Sequence, residues 1–184
     1  MIKYRTVRGW FAEGDADFIK RILLDHPTQE VSVIEVGSLF GRSAVAWHEA
    51  AKEVKKTLRL HCIDSWAEDA HTDGEPHLEV YDTFLHNTIH LGITHERIPH
   101  QTPIIWNDYT PPFTPDIVFY DADHNYDSTI NSIRFWHNYT RTILVDDMQI
   151  AGTIKAVNVF AKETNKKTIF HLGSKMGLLK DTNV

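Results

Sequence analysis

The stretch Val31-Ser-Val-Ile-Glu-Val-Gly-Ser-Leu-Phe-Gly-Arg-Ser43 constrains the fold more than any other part of the chain. It opens as a continuous apolar run, VSVIEV, the pattern of a strand buried on both faces. The run breaks at Gly37 and Gly41 and resumes at Ser43 with AVAWHEAAKEV, whose apolar residues recur at helical spacing. Strand, glycine turn and helix in that order predict a pocket. Gly37 permits a sharp turn, Gly41 permits close approach of a ligand, and the helix start presents unpaired N–H groups. Glu35 stands near the carboxyl end of the strand, the edge where open α/β sheets bind ligands. The spacing, E-x-G-x-x-x-G-x-S, differs from the G-x-G-x-x-G of pyrophosphate binders, and alone it equally fits a βα turn with two structural glycines.

The same alternation continues along the chain. Asp15 to Asp25 spaces its apolar residues as a helix that Pro27 stops, and Leu58 to Asp64 is the next strand. Residues 31–64 therefore form a β-α-β unit with parallel strands. A helix over His77 to Leu91 ends at Gly92. A short strand follows from Ile93 to Ile98, then a turn of helix about Pro103 to Trp106. Further strands are expected at Asp116 to Asp121 and Arg141 to Asp147, with helices at Tyr126 to Tyr139 and Ile154 to Lys162. Lys167 to Leu172 and Met176 to Lys180, around Gly173-Ser174, read as an antiparallel hairpin. Residues 1–13 are an irregular lead-in whose Trp10 and Phe11 pack onto the body, and residues 67–76 are a polar loop. The pattern predicts an α/β fold: a doubly wound, mostly parallel sheet with helices on both faces, in a single domain over residues 1–184.

A net charge of −6 without a Lys/Arg cluster argues against nucleic acid as a partner. The apolar runs are too short to span a bilayer, and the N-terminus lacks the apolar block of a secretion signal. Cys62 is the lone cysteine, inside an apolar strand; it excludes an internal disulfide and points to a reducing cytoplasm.

The strands end in acids: Glu35, Asp64, Asp121 with Asp123, and Asp146 with Asp147. Carboxyl ends of parallel strands share one edge, so these groups are expected around one crevice. Any single acid there can instead cap a helix or bind a loop. Asp64, at the tip of the second strand, suits a ribose hydroxyl pair, because a carboxylate accepts two hydrogen bonds at once. Asp121, Asp146 and Asp147 crowd three negative charges together, which repel unless a cation lies between them. Hard oxygen ligands of this kind suit Mg²⁺, or less selectively Mn²⁺ or Ca²⁺. His124, three residues past Asp121, is placed to take a proton from a substrate hydroxyl. His71, His77 and Tyr126 are secondary candidates for the entrance and for orienting substrate.

VIEVGSLFGRSAVAW, CIDSW, DIVFYDADHNYDSTINSIRFW and ILVDDM, in that order, resemble a class I S-adenosylmethionine-dependent methyltransferase. They are most similar to the group with D-x-D-H-x-Y at the fourth strand and D-D at the fifth, which includes antibiotic-sugar and cephalosporin-pathway O-methyltransferases. The resemblance implies a Rossmann-like, seven-stranded sheet with an antiparallel last strand. It implies that Glu35, Gly37 and Ser38 lie along the methionine part of the cofactor, with Gly41, Arg42 and Ser43 close by. Asp64 would take the ribose hydroxyls, Ser65 and Trp66 would flank the adenine, and Gln101 and Thr102 would meet its edge. It also maps a metal onto Asp121, Asp146 and Asp147, and a base onto His124. The glycine loop lacks the family's middle glycine, and His137 to Thr140 stands where paired glycines usually precede the fifth strand.

The expected reaction is methyl transfer to a small-molecule hydroxyl held by the metal, with a second copy of the chain completing a short substrate site. The alternatives are a metal-independent methyltransferase with His124 alone as base, and a non-catalytic S-adenosylmethionine-binding protein. A nicotinamide dehydrogenase would share the sheet but not the glycine loop.

Overall fold

The alternation of side chains in the first strand assigns the two faces of the sheet. β1 (Glu30–Val36) sends Val31 and Val33 into one apolar layer and Ile34 and Val36 into the other, and all four are buried. Glu35 falls on the same side as Val33, which turns it under the following helix. A computed structural model describes residues 3–67, 77–107 and 109–181.

The chain starts with a short 3-10 turn, Tyr4–Thr6, and α1 (Glu13–Asp25), then β1, α2 (Arg42–Glu53) and β2 (Thr57–Asp64). α3 (His77–Thr88) and β3 (Thr94–Arg97) follow, then β4 (Ile117–Tyr120), α4 (Tyr126–Trp136), β5 (Thr142–Val145) and α5 (Ala151–Thr164). β6 (Lys166–Phe170) and β7 (Gly177–Asp181) close the chain as a hairpin. The seven strands form one sheet in the order β3-β2-β1-β4-β5-β7-β6. β1 to β5 pair in parallel, and β7 runs antiparallel to both its neighbours. This is the doubly wound, Rossmann-like arrangement expected from the sequence.

α1, α2 and α3 cover one face with Phe18, Leu23, Trp47 and Phe84, and α4 and α5 cover the other with Ile133, Trp136, Val157 and Phe160. Cys62 is buried and free, as its strand context predicts. Burial on both faces explains why these strands read as continuous apolar runs. Among the described residues no helix is long and apolar enough to cross a membrane.

One expected element is absent. Residues 103–106 form no helical turn. The Ile104 N–H donates to Ser128 Oγ at 2.9 Å and the Trp106 indole to Ser132 Oγ at 2.9 Å, so α4 pins this segment in an irregular path. Trp106 then stacks on Phe135 with centroids 5.2 Å apart. These partners lie far along the chain, so local turn residues gave no warning of them.

The order of strands reverses between β1 and β4, with β2 and β3 on one side and β5 to β7 on the other. Loops leaving adjacent carboxyl ends diverge to opposite faces there and open a crevice. Gly37 turns at that point with φ +89°, and a Cβ on it would lie 2.0 Å from the Asp121 carbonyl oxygen. Its bare α-carbon is what lets the tips of β1 and β4 approach.

Candidate active site

A cavity of about 870 Å³ opens above that reversal. Its wall includes Gly37, Ser38, Arg42 and Ser43 from the β1–α2 turn, Asp64 and Ser65 after β2, and Gln101 and Thr102 after β3. Asp121, Asp123 and His124 line it after β4, and Asp147 after β5. Asp64, Asp121, Asp123 and Asp147, distant in sequence, therefore converge on one rim at the shared carboxyl edge.

The two glycines serve the chain more than a ligand. Gly41 starts α2 with φ +83°, and a Cβ there would meet Thr88 Cγ2 at 2.9 Å and Phe84 Cδ2 at 3.2 Å. Its open side is packed against α3, not exposed to the cavity. Asp64 is equally committed to the turn. Its Oδ2 accepts the N–H groups of Ser38 (2.7 Å) and Leu39 (2.8 Å), and its Oδ1 that of Trp66 (2.7 Å). The carboxylate thus shapes the loop while remaining on the cavity wall.

Trp66 and Glu35 fall off the cavity wall, and Arg42, although on it, is committed to another segment. The resemblance puts Trp66 beside a ligand ring; it is buried instead, its indole N–H donating to the Leu39 carbonyl and its ring packed on Tyr81 and Phe84. With φ +43° the backbone turns this side chain under the loop, leaving Ser65 on the wall. Arg42 points back along the chain, its Nη1 donating to the carbonyls of Val7 (3.1 Å) and Gly9 (2.8 Å). It fastens the lead-in, whose Phe11 is buried as expected but whose Trp10 is largely exposed on the cavity wall. Glu35 lies behind the turn, fully buried, with Ser43 Oγ donating to its Oε1 at 2.9 Å. Burial raises its carboxyl to about 8 against the pull of the serine hydroxyls.

The histidine lies where the sequence predicts. His124 Nε2 is 3.0 Å from Asp147 Oδ2 and 3.6 Å from Asp121 Oδ1. Burial disfavours its charged form, but the two carboxylates outweigh that and raise it to about 9. Asp147 is correspondingly held well below the usual carboxylate range, first by His124 and then by Lys175. Asp123 holds the start of α4 in place, accepting from the Asn125 N–H (3.1 Å) and from Ser128 Oγ (2.7 Å). His71 lies outside the described residues, and so does the loop over residues 68–76; His77 opens α3.

Residues 34–148 match the family described as a methyltransferase domain. The chain belongs to this family. It is an S-adenosylmethionine-dependent methyltransferase, and its fold agrees. Cofactor-bound Rv0187 from MTB superposes with a TM-score of 0.64 at 15% identity, covering 95% of this chain and 83% of that one. The O-methyltransferase NovP superposes with a TM-score of 0.65 at 14% identity, over 92% and 80%. SAH-bound PaMTH1 from Podospora anserina gives 0.60 at 11% identity, over 91% and 78%. No curated protein is significantly similar in sequence.

In this methyltransferase the three expected metal ligands are not arranged as an open oxygen cage. The Asp146 N–H still donates to the Tyr120 carbonyl (2.9 Å), so strand alternation carries past Val145 and buries the Asp146 side chain, 1% exposed and off the cavity wall. Its Oδ2 accepts from Lys175 Nζ at 2.6 Å, and the same ammonium donates to Asp147 Oδ1 at 2.8 Å. Burial and the charge of Asp121 push the Asp146 carboxyl up, and Lys175 opposes them. Asp147, at φ +51°, turns back to the wall. The donor set that does cluster is Asp121, His124 and Asp147, with one ligand atom from each within 4.8 Å of the others. Sequence reasoning misses Lys175 because a lysine in a hairpin turn ordinarily points to solvent; only its proximity to the paired acids marks it.

Proposed function

We propose that this methyltransferase carries the methyl group of S-adenosylmethionine to a hydroxyl oxygen of a small molecule in the cavity above β1 and β4. The convergence of a histidine and several carboxylates on one wall, beside the glycine turn, carries this reading. The likeness to NovP, an O-methyltransferase, supports oxygen as the acceptor atom. Gly37, Ser38 and the start of α2 would lie along the methionine part, with Glu35 behind them. Asp64 would take the ribose hydroxyls, and Ser65, Gln101 and Thr102 the adenine end.

The acceptor oxygen attacks the methyl carbon in line. The O–C bond forms as the C–S bond breaks, S-adenosylhomocysteine leaves, and the hydroxyl proton passes to His124. Nε2 faces Asp121 and Asp147, so Nδ1 is the nitrogen left to accept. At neutral pH the ring holds two protons and must lose one to serve as a base. Turnover is therefore expected to rise with pH until about 9. His124→Gln should flatten that rise and lower kcat about 10²–10⁴-fold while S-adenosylhomocysteine binds as before. A variant retaining the wild-type pH–rate profile would remove His124 from the proton path.

A second reading has a divalent ion on Asp121, His124 and Asp147, whose ligand atoms cluster. Such an ion would polarise the acceptor hydroxyl when bound. Calorimetric titration with S-adenosylhomocysteine tests the cofactor assignment directly. Binding is expected, weakened about tenfold or more in Asp64→Ala, which loses charge-assisted hydrogen bonds. Absence of binding to the wild-type chain would overturn the proposal.

A further inference from the structure

We propose that Lys175 is the resident cation of the acid cluster. Its ammonium stands where a divalent ion would sit among Asp121, Asp146 and Asp147, and this chain runs its methyl transfer without a metal. The inference rests on the methyltransferase reading for its chemistry, but its geometry is independent of which acceptor is used.

Lys175 is a built part of the site. The Lys175 N–H donates to Asp15 Oδ1 (3.1 Å), and the Lys175 carbonyl accepts from the Met148 N–H (2.8 Å). Ser174 Oγ donates to the same oxygen of Asp15 at 2.8 Å, and Asp15 is itself fully buried at the start of α1. Gly14 lets α1 seat against this turn, since a Cβ there would fall 2.0 Å from the Gly173 carbonyl oxygen. The backbone is thus held between the first helix and the residue that follows the paired acids, and the side chain has one direction to run. That side chain is only 24% exposed and lines the cavity wall, whereas a lysine in an open turn would be mostly solvated.

Charge and valence point the same way. An ammonium has three donors and no acceptor. Two are engaged by Asp146 Oδ2 and Asp147 Oδ1, which leaves one N–H for an acceptor oxygen in the cavity that Lys175 lines. Asp147 is already engaged at both oxygens: Oδ1 also accepts from Gln149 Nε2 (2.7 Å), and Oδ2 faces His124. A divalent ion bound alongside a fixed ammonium would meet like charge at hydrogen-bond range and would have to displace it.

The test is an Mn²⁺ titration followed by electron paramagnetic resonance, run on protein bound to S-adenosylhomocysteine. The wild-type chain is expected to leave the free Mn²⁺ signal undiminished. Lys175→Met should take up one ion per chain, and adding Asp147→Asn to that variant should abolish the uptake. Wild-type uptake that Asp147→Asn removes would overturn the inference. So would a Lys175→Met protein that still binds S-adenosylhomocysteine yet takes up no Mn²⁺. If Lys175→Met does not fold, Lys175→Gln serves in its place, and the wild-type titration stands as a test without any variant. A wild-type chain that fails to bind S-adenosylhomocysteine would count against the methyltransferase reading, not against Lys175.

Discussion

Gly37→Ala is expected to cost roughly 2–5 kcal/mol and to abolish cofactor binding. Left-handed backbone costs a residue with a Cβ about 1–2 kcal/mol, and overpacking adds about 1–3 kcal/mol. Here the added carbon would sit 2.0 Å from the Asp121 carbonyl oxygen, a backbone atom that cannot rotate away. Relief requires the tips of β1 and β4 to separate, and those tips carry the turn and Asp121. Gly92→Ala is the matched control: φ is +67° and nothing lies within 4 Å of the new carbon, so only the backbone term of about 1–2 kcal/mol applies. Urea denaturation midpoints of both variants, converted with a shared slope, measure the difference. Equal costs would mean that the strand tips do not need the bare α-carbon.

Glu35→Gln is expected to remove a steep pH dependence of stability. In the unfolded chain this carboxyl loses its proton in the ordinary range near 4.5, while in the fold burial holds the proton to about 8. Between those values the unfolded state binds fewer protons, so stability falls as pH rises. At about 1.4 kcal/mol per pH unit the loss amounts to roughly 4–5 kcal/mol across the window. Below the lower value the effect is absent, and above the upper one it is complete. Glutamine keeps the shape and the acceptor for Ser43 Oγ without the charge. The variant should be about as stable as wild type at acid pH and more stable by several kcal/mol near pH 8. Denaturation curves at a series of pH values decide it; a wild-type chain equally stable at both ends would mean that Glu35 is ionised within the fold.

Much of the architecture was legible because periodicity is a local property. VSVIEV and DIVFY could only be strands covered on both sides, and the βα alternation leaves few ways to connect them. The acids at the strand tips were legible for the same reason, since parallel strands put their carboxyl ends together whatever lies between them in sequence. His124 beside Asp121 and Asp147 follows from that logic. Trp66, Arg42 and Trp10 were not legible, because the direction of a side chain in an irregular segment depends on single backbone torsions and on distant carbonyls. The irregular path of residues 103–106 depends likewise on two serine hydroxyls of α4.

By itself, then, the order of apolar and acidic residues determined a doubly wound sheet with a carboxylate-lined edge over the β1–β4 reversal. Only tertiary structure decided what neutralises that edge. Asp15 near one end of the chain and Ser174 near the other meet to anchor Lys175, and the ammonium, carried on the turn just before β7, reaches Asp146 and Asp147 past the end of the neighbouring strand β5. Periodicity says which face a residue occupies; it cannot say which remote charge will be waiting there.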